Sequence, residues 1–265
     1  MTLSHAPLMY VFFETYQLET EREFFECSIG LPVLEIESHL PHHRHGVVKY
    51  DAGKLILSLN WTSSENFSDE TSDGLTTVFD RNPGVGTACP YPGTISIDDA
   101  GVVTDLHGHH FYFSRSAQGK SGSPEVKELR LSVQNLQASV AFYRETLGLE
   151  MIDQRGRSAR FAAGGVDLSL EERSTGPDGR RMRHDTYLLV FYTPQIEEVR
   201  ASLMRRGLVF KGSHVAHSEI GATARFEDPS GHRICIYEPS QACLSWGSGR
   251  KVIEIMNLSH CDATF

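Results

Sequence analysis

The sequence lacks a cysteine framework. Its five cysteines are odd in number and contain no CxxC pair. A set of structural disulfides needs paired cysteines, and a zinc ribbon needs closely spaced ones. We therefore expect neither, and we predict a reducing compartment, with the cytoplasm as the location.

A surplus of positive charge is also missing. Lysine and arginine number 25 against 34 acidic residues, which gives a formal net charge of −9. Nucleic acids and anionic membrane surfaces are bound through basic protein surfaces. We therefore predict no nucleic-acid partner and no membrane partner. A small-molecule ligand is expected instead, with the chain acting as a monomer or a homodimer.

Long apolar runs are absent as well. The first residues, MTLSHAPLMYVFFETYQLE, carry no basic leader, and their apolar run is much shorter than the roughly 20 residues that cross a bilayer. We expect neither a signal peptide nor a membrane anchor.

What the chain does contain is a strand followed by a helix between Val126 and Met151. Apolar and polar residues alternate up to Val133, which predicts a half-buried strand. Asn135 is a suitable helix N-cap, and Gly148 is suited to the left-handed residue after the helix. With 40% hydrophobic and 22% charged residues, the chain is long enough for two globular modules.

The strand-helix unit occurs twice. The residues of FF and IGL around Gly30 match FY and LGL around Gly148 at an offset of 118 (148 − 30). A second pattern, DxxGH, recurs at an offset of 123 between Asp105 and Asp228 (228 − 105). We predict a first module over 1–116, a linker over 117–125, a second module over 126–239 and a C-terminal extension over 240–265. Positions 66–96 are rich in Ser, Asp, Pro and Gly and are predicted as an extended loop, so the second half of the first module is degenerate.

A helix ending in FYxxxLGL and a closing DPxGHxIxxxEP strand together resemble the vicinal oxygen chelate superfamily, which includes glyoxalases, bleomycin-resistance proteins and extradiol dioxygenases. This resemblance implies an α+β fold of two tandem modules, each built from βαβββ units that form open U-shaped sheets. It also implies a small-molecule site. It implies no single reaction, because members include lyases, isomerases, dioxygenases and metal-free drug-binding proteins.

The resemblance further implies a divalent metal on four inward-facing positions, normally His, Gln or Glu. The residues predicted at these positions are, in order, Tyr10, Ile56, Asp73 or Gly74, and Tyr112 in the first module, and Glu128, Ser169, Leu188 and Cys235 in the second. Only Glu128 is a conventional ligand among the positions set by motif spacing. We predict no conventional metal centre. A rearranged iron, zinc or nickel site stays open, with Glu128 joined by Cys235, His214 or His217. The HLPHHRH segment, with His39, His42, His43 and His45, is predicted as a solvated loop.

Strand alternation predicts the residues that face each cavity. The first set is Tyr10, Phe12, Glu14, His110 and Tyr112, and the second is Glu128, Arg130, Arg233, Cys235 and Tyr237. The aromatic first set suits a flat ligand, whereas the charged second set suits an anion or neutralises itself. Glu128, His110 and Glu14 are the candidate general bases. Cys235 is either a nucleophile or a buried structural cysteine.

These features support two classes of function. The first is an enzyme that acts on a small oxygenated or aromatic metabolite through a non-standard, metal-poor site, by isomerase, lyase or oxygenase chemistry. The alternative is a non-catalytic binding protein of the bleomycin-resistance type, or a pseudoenzyme scaffold. The C-terminal extension carries Val252, Ile253, Ile255 and Met256, and we expect it to pack on a sheet or on a partner subunit.

Overall fold

The architecture was analysed in a computed structural model that describes residues 2–38, 46–62, 71–80, 96–97, 102–105, 107–113, 123–175 and 179–261. The helices are α1 (Leu18–Glu23), α2 (Leu136–Ala141), α3 (Ile196–Arg205) and α4 (Gly249–Cys261). A π-helical turn continues α1 over Phe24–Ile29 and α2 over Phe142–Leu147. The predicted histidine-rich loop, 39–45, lies outside the described residues.

The strands fall into two large sheets and one small one. Their bounds are β1 Leu8–Thr15, β2 Val33–Ser38, β3 Gly46–Asp51, β4 Ile56–Trp61, β5 Thr71–Asp73, β6 Leu75–Phe79, β7 Ser96–Ile97, β8 Val102–Thr104, β9 His110–Phe113, β10 Val126–Val133, β11 Met151–Arg155, β12 Ser158–Ala162, β13 Asp167–Glu172, β14 Arg181–Arg183, β15 Tyr187–Tyr192, β16 Phe210–Ser218, β17 Gly221–Glu227 and β18 Arg233–Pro239. Sheet 1 has the order β16-β17-β18-β15-β1-β4-β3-β2, and sheet 2 has the order β11-β12-β13-β10-β6-β9-β8-β7. The third sheet pairs β14 with β5. The α+β fold with open sheets is therefore confirmed.

Each large sheet takes one half from each sequence repeat. Strand β1 pairs antiparallel with β15 from the second repeat, and β10 pairs antiparallel with β6 from the first. The cavity sets predicted above assumed that the two halves of one repeat share a sheet, and that assumption is wrong. Alternation within a strand determines which side chains share a face, but it carries no information about which apolar strand lies at the neighbouring edge.

The repeated strand-helix unit forms as the sequence predicts. The side chain of Asn135 accepts a hydrogen bond from the backbone N–H of Ala138 at 3.0 Å, which caps α2. Gly148 and its counterpart Gly30 both have positive φ, 79° and 85°, after the π-helical turns. Glycine adopts this left-handed conformation without the steric cost of a Cβ atom, so both helices can end at the same point of the motif.

The predicted loop over 66–96 is wrong in its central part. Strands β5 and β6 lie at 71–73 and 75–79, and β6 is a central strand of sheet 2. Its sequence, LTTVF, is rich in β-branched residues and is buried along its whole length. The polar composition of the surrounding segment masked this short strand.

The main core joins both sheets and helices α1 to α3. Its fully buried aromatic residues include Phe13, Phe25 and Phe111 from the first repeat and Tyr143 and Phe161 from the second. A second apolar cluster lies on the opposite face of sheet 1 and contains Val252 and Ile255 of α4, both 0% exposed. The extension therefore packs on a sheet of its own chain. Among the residues described, no helix combines the length and apolarity that crossing a bilayer requires.

Candidate functional site

Two sheet faces point away from the main core, and we name them by the strands that form them. Cup 1 is the face of β4, β1, β15 and β18, and cup 2 is the equivalent face of β13, β10, β6 and β9. The strand register aligns one residue from each strand across each cup. This row is Ile56, Tyr10, Val190 and Cys235 in cup 1, and Asp167, Glu128, Val78 and Tyr112 in cup 2.

Cup 1 contains a cavity of about 240 Å³. Aromatic rings form much of its wall, since Tyr10 stacks on Phe12 with ring centroids 5.2 Å apart and meets Tyr237 edge-on at 6.1 Å. The remaining lining residues are Glu37, Val47, Lys49, Asn60, Leu188, Val190, Ile220, Thr223, Arg225, Cys235, Cys243 and Trp246. This composition, apolar with a few polar groups, is typical of small-molecule sites.

The C-terminal extension completes this cavity. A 3₁₀ turn at Cys243–Ser245 leads to Trp246, which lines the cavity and lies under the Lys49 ammonium, 5.6 Å from the ring centroid. Ser248 then donates a hydrogen bond to a Glu35 carboxylate oxygen at 2.6 Å, just before α4 begins. The Lys251 ammonium lies 3.0 Å from Asp51 and ties the helix to β3. The extension is therefore part of the site.

The phenol and thiol groups inside cup 1 are held in their neutral forms. Burial raises the pKa of the Tyr10 and Tyr237 hydroxyls well above the usual tyrosine range. Burial also raises the pKa of the Cys235 thiol to about 11, although the nearby Arg225 guanidinium opposes the shift. A protonated thiol is a poor nucleophile and a poor metal ligand. This favours the structural role of Cys235 over the nucleophilic one.

Cup 2 is polar and carries paired charges. Glu128 accepts hydrogen bonds from the Arg130 guanidinium at 2.8 and 3.0 Å and from the Ser169 hydroxyl at 2.5 Å. Burial disfavours the charge of Arg130, but the hydrogen bond to Glu128 together with the negative charges of Glu128 and Glu171 outweighs this and raises the arginine pKa. The guanidinium also lies over the Tyr112 ring, 5.3 Å from its centroid. Glu128 is thus neutralised by its neighbours.

His110 also faces cup 2, one row away from Glu128. It is 1% exposed, and its Nδ1 lies 3.0 Å from the Thr104 hydroxyl. The register aligns Arg130 with Thr76 and Thr76 with His110 across β10, β6 and β9. An imidazole, a carboxylate and a guanidinium therefore share this face.

Neither cup fits the divalent metal that the family resemblance implies. The row in cup 1 offers two alkyl side chains, a protonated phenol and a protonated thiol, and α4 packs against it. In cup 2 the two carboxylates, Glu128 and Asp167, are engaged by Arg130 and Arg160. Among the residues in the described ranges, no three His, Cys, Asp or Glu side chains form a group that could hold a metal ion. These donor sets give a cation too few free ligands.

The structure regroups the predicted site residues. Those on cup 1 are Tyr10, Phe12, Glu14, Arg233, Cys235 and Tyr237, and those on cup 2 are Glu128, Arg130, His110 and Tyr112. The Arg233 guanidinium binds Glu14 at 2.9 Å. The proposed combination of Glu128 with Cys235 is separated between two sheets. His214 and His217 lie exposed on β16, at the edge of sheet 1, and His217 is 3.7 Å from Glu197.

The register also corrects three of the predicted metal positions. In cup 1 the second position is Ile56, as predicted, and it lies opposite Tyr10. In cup 2 the residue opposite Glu128 is Asp167, two residues before the predicted Ser169. The third positions are Val78 and Val190, in place of Asp73 or Gly74 and of Leu188.

The sequence reasoning missed the cavity residues that no motif marks. Lys49 and Arg225 lie on strands β3 and β17, beside the central strands, and Trp246 lies in the extension. The alternation of β3 and β17 could have indicated which of their residues face inward. The apolar residues of the extension indicated packing on a sheet or on a partner subunit, but nothing in the sequence indicated that Trp246 lines the cavity.

The comparisons agree with this architecture. Residues 126–236 match the model of the Glyoxalase/Bleomycin resistance protein/Dioxygenase superfamily. Glyoxalase I from Zea mays is similar in structure, with a TM-score of 0.59 and 13% sequence identity over 96% of this chain and 96% of that chain. A candidate dioxygenase from Bacillus subtilis subsp. subtilis str. 168 gives a TM-score of 0.60 and 12% identity over 97% of this chain and 90% of that chain. At these identities the likeness concerns the fold. No curated protein matches the sequence.

Proposed function

Because residues 126–236 match the model of the Glyoxalase/Bleomycin resistance protein/Dioxygenase superfamily and the chain has a fold similar to that of glyoxalase I, we propose that this protein binds a small planar molecule in cup 1. Binding there uses aromatic contacts and no resident metal. This is the binding-protein alternative among the functions that the sequence suggests.

The observation that carries the proposal is the aromatic cavity itself. Tyr10, Phe12, Tyr237 and Trp246 come from three separate parts of the chain and line one space of about 240 Å³. Drug-sized ligands occupy pockets of roughly 300 to 1,000 Å³, so this cavity suits a ligand of one or two rings. Offset or edge-on contacts between such a ring and the walls add about 0.5–1.5 kcal/mol per pair beyond the burial of area.

The ionisation state of the cavity favours binding over catalysis. The hydroxyls and the thiol that face the ligand space stay protonated at neutral pH, since burial raises the pKa of Tyr10, Tyr237 and Cys235. General-base catalysis needs a group whose pKa lies near the working pH. These three side chains supply aromatic and apolar surface, because the Tyr237 hydroxyl and the Cys235 thiol already donate to the backbone carbonyls of Ile220 and Ile236.

The proposal is tested by isothermal titration calorimetry at pH 7 with 2-naphthamide, a neutral two-ring probe. We expect saturable binding of one molecule per chain. The Leu188→Trp variant fills the cavity from β15 and lowers the affinity at least tenfold. The matched control is Ile253→Trp, which adds the same ring on the exposed side of α4, where Ile253 is 44% exposed. This control keeps the wild-type affinity.

Absence of binding to the wild-type protein contradicts the proposal, and so does an unchanged affinity in Leu188→Trp. If Leu188→Trp fails to fold, as judged by circular dichroism, Trp246→Ala replaces it. That variant removes an aromatic wall without overfilling the cavity, and it lowers the affinity for the same probe. Metal analysis of untagged protein, purified with no metal added, is the companion test. A stoichiometric iron, zinc or nickel content contradicts metal-free binding.

A second candidate function belongs to cup 2, where a specific observation favours it. The carboxylate of Glu128, the guanidinium of Arg130 and the imidazole of His110 share one sheet face. Such a face could transfer a proton on a small oxygenated metabolite, with Glu128 or His110 as the base and Arg130 stabilising negative charge. The test is turnover of an identified substrate by Glu128→Gln and His110→Ala. Unchanged turnover in both variants removes this candidate.

A further inference from the structure

The basic side chains around the cavity in cup 1 differ in whether a carboxylate pairs with them. Lys49 is 6% exposed and forms ion pairs with Glu35, at 3.1 Å, and with Glu37. Glu35 also accepts hydrogen bonds from the backbone and side chain of Ser248. This group of one cation and two carboxylates lies on β2 and β3 and satisfies much of its own charge.

Arg225 differs from Lys49 in its position and in its contacts. It lies on β17, on the other side of the cavity mouth, and lines the same space. Within the described ranges no carboxylate comes within ion-pair distance of its guanidinium, and its polar contact is with the Cys235 thiol. By contrast, its cross-strand neighbour Lys211 is paired with Glu227. The guanidinium thus keeps hydrogen-bond donors for a further acceptor.

From this arrangement we infer that cup 1 selects an aromatic anion, an aryl carboxylate or a compound of the same class, with Arg225 binding the charged group and the aromatic wall binding the ring. This inference rests on the proposed function and deepens it. An arginine presents paired N–H groups that match the two oxygens of a carboxylate, which a neutral amide cannot reproduce. Arg225 is therefore a specificity-determining residue, and Tyr10, Phe12 and Trp246 supply affinity for the ring.

The position of Arg225 supports this division of roles. Its Cα is the cross-strand partner of Cys235, which lies in the central row of cup 1 beside Val190. An anionic group at the mouth therefore places its ring over the middle of the sheet, against Tyr10. Lys49 and Glu37 lie on the β3 side, where the carboxylate of Glu37 disfavours a second anion. The ligand is expected to carry a single negative charge at one end.

The experiment compares 2-naphthoate with 2-naphthamide, which has the same rings and nearly the same shape without the charge. Calorimetry at pH 7 and low salt is expected to show about tenfold tighter binding of 2-naphthoate to the wild-type protein, as one charge-assisted interaction provides. Arg225→Gln abolishes this preference, because it lowers the affinity for 2-naphthoate about tenfold more than the affinity for 2-naphthamide. The matched control Lys211→Gln removes one positive charge from the adjacent strand and keeps the preference.

Five outcomes of these measurements would contradict the inference. Equal binding of the two probes to the wild-type protein overturns the anion selectivity while the proposed function stands. If Arg225→Gln lowers the affinity for both probes equally, the residue contributes to packing. If Lys211→Gln removes the preference for 2-naphthoate as Arg225→Gln does, the preference comes from the overall charge of the protein. Both of these outcomes also overturn the inference. Failure of both probes to bind the wild-type protein overturns the proposed function and the inference together, whereas binding of 2-naphthamide alone overturns only the inference.

Discussion

Replacing Tyr143 with phenylalanine tests the buried link between a helix and the closing turn of the second repeat. The Tyr143 hydroxyl donates a hydrogen bond to Asp228 at 3.1 Å, and the other carboxylate oxygen accepts from the backbone N–H groups of Ser230 and His232. Tyr143 is fully buried. The first repeat has Phe25 at this position, so the substitution copies a residue that the same motif already accommodates.

The expected loss of unfolding free energy depends on pH. A hydrogen bond to a charged, buried group contributes about 1.5–3 kcal/mol, and in a chain of this size about 2 kcal/mol corresponds to a fall in Tm of roughly 5 °C. Burial raises the pKa of Asp228 from 3.8 to about 6. The contribution of this carboxyl is therefore most favourable below pH 3.8 and is lost as the pH rises through 6. Removing the Tyr143 hydroxyl raises the folded-state pKa further, so Tyr143→Phe loses about 1 kcal/mol more at pH 8 than at pH 5.

The assay is urea unfolding followed by circular dichroism at both pH values. The matched control is Tyr192→Phe, because Tyr192 is 5% exposed and lies on β15, away from Asp228. Buried histidines such as His232, whose pKa is lowered to about 4 by burial, titrate in variant and wild type alike and cancel in the difference. A loss of equal size at pH 5 and pH 8 refutes the reasoning, as does the same pH dependence in Tyr192→Phe.

Three further predictions concern the cups. Cys235, whose pKa is raised to about 11, reacts with iodoacetamide at pH 7.5 far more slowly than the exposed Cys27, and peptide mass spectrometry showing comparable labelling contradicts this. Ile255→Asp places a charge in a fully buried position and is expected to release α4 from sheet 1. This variant is cleaved faster by protease between positions 240 and 249 and does not bind 2-naphthamide. The control Ile253→Asp, at an exposed position, behaves like the wild type in both assays. Glu128→Gln breaks a partly exposed ion pair and lowers the unfolding free energy by less than about 1 kcal/mol, so a larger loss in urea unfolding contradicts the geometry of cup 2.

The sequence predicted much of the local structure because local structure depends on neighbouring residues. Asn135 caps α2 and Gly148 ends the turn after it, as the motif requires. The closing turns form as repeats as well, with Asp105 accepting from the backbone of His109 and Asp228 from the backbone of His232. Each of these features is set within a few positions along the chain.

The pairing between repeats could not be predicted in the same way. Strand β1 has two candidate partners, β6 and β15, which are five and six residues long and are both largely buried. Main-chain hydrogen bonds are available from either edge, so the choice depends on how the whole core packs. One buried contact that depends on this choice is the hydrogen bond from the Thr186 hydroxyl to Asp73. These two residues are 113 positions apart, and no local pattern relates them.

The two cups differ because each large sheet combines one half of the first repeat with one half of the second. Each cup combines residues from both repeats, so a substitution in one repeat affects one side of a cup and leaves the corresponding side of the other cup intact. In cup 1 the central row is apolar, with Ile56, Tyr10, Val190 and Cys235, and Val252 and Ile255 of α4 pack in the same cluster. In cup 2 the equivalent positions keep Glu128 and Asp167, each held by an arginine. Duplication thus leaves one sheet face suited to a ring and another suited to polar groups, and variants of each face are expected to act independently.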